Sequence, residues 1–76
     1  MTPAQHRALE RLADAYLRGE PDLRIDTYNT DRTVGVSTAR ALCRRGLALS
    51  LSAFRIRATD KGVRLALDSE PMGGDR

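Results

Sequence analysis

Between residues 37 and 62 the apolar side chains change their spacing twice, and no other feature of the chain restricts the fold as much. Ala39, Leu42, Cys43 and Leu47 recur at helical intervals. Leu47, Leu49 and Leu51 then alternate with Ala48, Ser50 and Ser52, and Phe54, Ile56 and Ala58 alternate with Arg55, Arg57 and Thr59. A period of 3.6 has become a period of two. The pattern predicts a helix stopped by Gly46, followed by a β-hairpin over 47–58 with one apolar face. The turn at Ser52-Ala53 lacks an Asn-Gly pair, so its type stays open. Thr59 suits an N-cap, Asp60 suits the positive end of a helix, and Val63, Ala66 and Leu67 give a short last helix its inward stripe.

Upstream, Thr2-Pro3-Ala4-Gln5 carries the marks of a helix start: a capping threonine, proline at the first position and glutamine as its reciprocal partner. Leu9, Leu12, Ala13, Tyr16 and Leu17 extend one apolar stripe, and Gly19 with Pro21 ends it, which predicts a helix over 3–18. Leu23, Ile25 and Thr27 alternate with Arg24, Asp26 and Tyr28, which predicts a strand over 23–28. Asn29-Thr30-Asp31 is turn chemistry, and Thr33–Val36 is a short β-branched run suited to a returning strand. Ser37 is placed to cap the next helix.

The expected architecture is therefore α+β: helix, strand or hairpin, helix, β-hairpin, short helix. Its expected core holds Leu9, Leu12, Leu17, Ile25, Leu42, Leu47, Leu49, Phe54, Ile56 and Val63. Residues 1–68 make one domain. Residues 69–76, with Pro71, Gly73 and Gly74 and no apolar pattern, are expected to form a frayed tail. A chain of 76 residues builds one small core and has no room for a deep cleft between lobes.

Charge is distributed unevenly. Over 40–64 the chain carries Arg40, Arg44, Arg45, Arg55, Arg57, Lys61 and Arg64 against Asp60 alone, whereas the whole chain has a net charge of +3. Such a concentration suits a polyanion. The competing reading of Arg40, Arg44 and Arg45 is a solvated helix face; that of Arg55 and Arg57 is a strand protected by charge from edge pairing. The preference for arginine over lysine is equally explained by codon usage, so placement counts for more than content.

Other chemistry is sparse. Cys43 is the single cysteine and falls on an apolar helix face, which favours a small buried hydrophobe over a nucleophile. His6 is the single histidine. Asp22, Asp26 and Asp31 match no calcium-loop spacing. The expectation is no metal, no cofactor, no small-molecule substrate and no enzymatic activity. No run of 18 apolar residues predicts a membrane span, no apolar signal core follows Met1, and the cytoplasm is the expected compartment.

Thr38, Leu42, Arg45, Gly46 and Leu47, followed by Ile56, Thr59 and Gly62, make the second half resemble the winged helix-turn-helix domains of bacterial and phage regulators. The resemblance covers about 30 of the 76 residues. It implies a small regulatory protein that binds double-stranded DNA with a recognition-type helix (about 38–46) and a basic wing (about 47–58). Thr38 and Arg40 would lie nearest the bases and Arg44 and Arg45 on phosphates, with Arg55 and Arg57 contributed by the wing. Members of that group carry a further helix before the recognition helix. Residues 20–36 show no period of 3.6, so that helix is expected to be missing, shortened or replaced by a β-hairpin. The alternative is a protein-interaction module that docks on a partner protein and modulates it. A homodimer is compatible with either.

Overall fold

Helix α1 (Pro3–Leu17) begins with the anticipated reciprocal cap. The Gln5 amide donates to Thr2 Oγ1 at 3.1 Å and the Thr2 amide donates to Gln5 Oε1 at 3.2 Å, so two amide groups that lack helical partners are satisfied. At the other end Gly19 takes a φ of +86°. Its amide donates to the Tyr16 carbonyl and that of Glu20 to the Ala15 carbonyl, a glycine-dependent stop. This computed structural model describes residues 1–20, 22–30 and 32–68, and the tail expected over 69–76 lies outside them.

Six further elements follow: β1 (Asp22–Asp26), β2 (Thr33–Gly35), α2 (Val36–Arg44), β3 (Ala48–Ser52), β4 (Arg55–Ala58) and α3 (Asp60–Asp68). The α+β arrangement of three helices and a small sheet is as the sequence predicts. The four strands lie in the order β2-β1-β4-β3. β1 and β3 each run antiparallel to β4. β2, however, runs parallel to β1 rather than returning against it.

Parallel neighbours ordinarily need a connection of about a dozen residues or more, yet here only the six positions 27–32 separate β1 from β2. Side chains hold that short loop in place. Asn29 accepts from the Gly35 amide through Oδ1 at 2.7 Å and donates through Nδ2 to Thr38 Oγ1 at 3.3 Å. Thr30 Oγ1 accepts from the amides of Arg32 and Thr33. Among the described residues no helix occupies this stretch. The Asn29 clamp also resets the start of α2. Gly35, not Ser37, is the N-cap, no side chain caps it, and Ser37 lies exposed in the first turn.

α2 stops at Gly46, whose φ is +75°. The Gly46 amide donates to the Cys43 carbonyl and the Leu47 amide to the Leu42 carbonyl, both at 3.0 Å. This closure turns Leu47 into the core. Thr59 then ties the start of α3 to the same corner. Its hydroxyl donates to the Gly46 carbonyl at 2.8 Å, its amide donates to the Leu47 carbonyl at 3.1 Å, and its Oγ1 accepts from the Gly62 amide at 3.1 Å. A Cβ on Gly62 would collide with the Leu47 carbonyl oxygen. Gly46 is needed for its backbone conformation; Gly62 is needed because there is no space.

The core lies between the helices and one face of the sheet. Leu9, Leu12, Val34, Leu42 and Ile56 are its largest inaccessible side chains, with Leu47 and Val63 beside them. Tyr16, Leu23 and Ile25 pack at its margin. Three residues expected inside are not there: Leu17 is 60% exposed, Leu49 54% and Phe54 68%. Leu17 closes the last turn of α1. Ala48 pairs with Ala58 facing the helices, so the pleat turns Leu49 to the other face. Phe54 sits at the hairpin tip, and Leu51 is exposed beside it.

Candidate nucleic-acid interface

α2 sorts its residues by a helical period. Thr38, Ala39 and Leu42 face inward; Arg40, Arg44 and Arg45 are exposed. Among the described residues no carboxylate forms an ion pair with these three arginines. Arg40 and Arg44, one turn apart, rim a groove of about 460 Å³ between α2 and β3, lined also by Ala39, Cys43 and Ser50. Two exposed cations at the rim of a shallow groove, with Arg45 exposed at the end of the same helix, form a surface that attracts phosphate.

Cys43 is half-buried in that groove. Burial pushes its thiol above the ordinary range, opposed in part by a hydrogen bond from the Ser50 backbone. The shift favours the protonated thiol, the less reactive form.

The structure redistributes the other site residues predicted from sequence. Thr38 is only 7% exposed and its hydroxyl is engaged by Asn29. It positions the start of α2 and does not reach the surface, so its expected place nearest the bases is corrected. Arg55 and Arg57 flank Ile56, which is wholly buried on the helix side of the sheet. Strand alternation sends both arginines to the opposite face from α2. Arg55 Nη1 lies 4.0 Å from Asp22 Oδ1, and the Arg57 guanidinium carbon lies 5.5 Å from the centroid of the Tyr16 ring. Arg40, Arg44 and Arg45 thus form one group and Arg55 belongs to another; the single cationic face expected from their closeness in sequence is divided by the sheet.

Two residues outside the basic stretch join Arg55. Arg24 stands directly across from it on β1. Arg32, just before β2, borders the same open concavity of about 920 Å³, together with Arg18, Glu20, Asp22 and Thr33. Alternation in β1 had already put Arg24 on the polar face, but nothing local indicates which strand would lie beside it. Asn29 was equally hidden: its sequence signal is that of a turn, and its role as a clamp appears only when Gly35 and Thr38 are brought to it.

Among the described residues no three His, Cys, Asp or Glu side chains gather to hold a metal ion, and no helix is long and apolar enough to cross a membrane. No known protein family, curated protein or solved structure matches the chain.

Proposed function

We propose that this domain is a small cytoplasmic regulator that binds double-stranded DNA through α2. The observation that carries the reading is the trio Arg40, Arg44 and Arg45, exposed on one short helix with no ion-pair partner among the described residues. The order of elements supports a winged-helix comparison: β1 pairs with β4, and α2 leads directly into the β3–β4 hairpin. The missing preceding helix is replaced by the Asn29 loop. In this arrangement Ser37 and Arg40 are nearest the bases, while Arg44 and Arg45 contact phosphates. Arg55 and Arg57 make no contribution to this surface.

The test is fluorescence anisotropy on mixed-sequence duplex DNA. Affinity should fall steeply between about 50 and 200 mM salt as counterions are released. The combined change Arg40→Gln, Arg44→Gln and Arg45→Gln should weaken binding at least tenfold at low salt; unchanged affinity would overturn the assignment of α2.

A second reading is favoured by Leu49, Leu51 and Phe54, all exposed on one hairpin. An apolar wing suits docking on a protein, including a second copy of this chain. Under that reading a stoichiometric protein complex forms without DNA, and Leu51→Ser with Phe54→Ser abolishes it, whereas the α2 arginine changes leave it intact.

A further inference from the structure

The sheet face turned away from α2 carries two facing guanidinium groups on its two central strands. Arg24 on β1 pairs with Arg55 on β4, and register partners project to the same face. Thr33 on β2 pairs with Arg24, its hydroxyl donating to the Tyr28 carbonyl at 2.8 Å. Arg18 and Arg32 border the same concavity as Arg24 and Arg55, so that four arginines face Glu20 and Asp22.

The cations are under-neutralised. Arg18 is paired with Asp14 at 3.2 Å, and Arg55 approaches Asp22 only to 4.0 Å. Among the described residues Arg24 and Arg32 have no ion-pair partner. Two like charges directly opposite each other on adjacent strands repel. The molecule tolerates that repulsion at Arg24 and Arg55 on an open, solvent-facing surface, where an external anion can relieve it.

We propose that this face is a second binding site for the phosphate backbone of a nucleic acid. The number of cations decides between ligands. A single phosphate would engage one or two of the four guanidinium groups around the concavity, whereas a strand presenting one charge per ~3.4 Å of helix axis supplies several. The inference goes beyond the assignment of α2 and does not depend on it, because the two surfaces lie on opposite sides of the sheet. If α2 also binds DNA, one molecule holds two duplex segments.

The experiment is NMR titration of the intact chain with a 20-base-pair duplex, and separately with inorganic phosphate. In the protein carrying Arg40→Gln, Arg44→Gln and Arg45→Gln, the duplex should still shift the resonances of Arg24, Thr33 and Arg55. Arg24→Gln with Arg32→Gln should weaken that response at least tenfold while shifts around Arg40 and Arg44 in an otherwise unaltered protein persist; circular dichroism checks that both variants fold. Absence of duplex-induced shifts at Arg24, Thr33 and Arg55 overturns the proposal whatever happens at α2. So does a response to inorganic phosphate as strong as that to the duplex, which would make the face a site for a single small anion. Loss of shifts confined to Arg40 and Arg44 counts against the α2 assignment alone.

Discussion

Leu47 and Leu49 are two residues apart in an alternating run, yet Leu47 is 4% exposed and Leu49 54%. Leu47 belongs to the corner where α2, the hairpin and α3 meet. There Gly46 closes the helix, and Thr59 and Gly62 press α3 against the Leu47 backbone. Leu49 belongs to the hairpin beyond it, where the sheet has helices on one side and solvent on the other. Burial follows from what the rest of the chain places opposite a side chain. The corner is over-determined, since hydrogen bonds, a left-handed glycine and a space only glycine fits all agree; the far end of the hairpin, around Leu51 and Phe54, is held by strand pairing and the turn bonds at Ser52.

That contrast can be broken first at Gly62. Gly62→Ala gains up to about 1 kcal/mol of helix propensity, but its methyl group would meet the rigid Leu47 backbone and force α3 away. Overpacking dominates, with a net loss of about 2 kcal/mol, a large fraction of the stability of so small a domain. Urea denaturation measures it; a neutral or stabilising result would mean that α3 does not seat on Leu47.

Thr59→Ala removes both the cap of α3 and the link to Gly46. A loss of about 1–2 kcal/mol is expected, while Thr59→Ser, which keeps the hydroxyl, should recover most of it. The same denaturation series distinguishes the two.

In the hairpin, Phe54→Ser should change the midpoint by no more than about 0.5 kcal/mol, because Phe54 has little burial to lose. A loss comparable to that at Thr59 would place Phe54 in the core and erase the difference between the two regions.

Cys43 gives the smallest effect. Its thiol is raised in the fold, so the folded state holds the proton more tightly than the unfolded one. Stability is unaffected at neutral pH and falls as pH rises through the ordinary thiol range. Comparison of urea midpoints for the protein and for Cys43→Ala, at neutral and alkaline pH, should show the decline only where the thiol is present.

Much of this was legible beforehand. Thr2 and Gln5 announced the first cap, and Gly46-Leu47 the end of α2, because a cap is made by residues within one turn of each other. The inward stripes of the three helices were legible for the same reason, except at Leu17 and Leu67, which were expected inside and lie exposed near the ends of α1 and α3. Of the eight residues that carried the resemblance to winged-helix domains, Gly46, Leu47, Thr59 and Gly62 build the corner of the fold rather than the surface beside α2. The direction of β2, the start of α2 at Val36, the burial of Thr38 and the outward turn of Leu49 were not legible, because each depends on a partner elsewhere in the chain.

The arginines show the same division. Sequence alone determined which residues share a face of their own element: Arg40 with Arg44 on the helix, Arg55 with Arg57 on the strand. Only the tertiary structure decided that Arg55 lies across the sheet from the α2 pair, that Arg57 reaches the Tyr16 ring, and that Arg24 stands beside Arg55. Helical and strand periods are properties of adjacent bonds, whereas strand order and register emerge from the packing of the whole core.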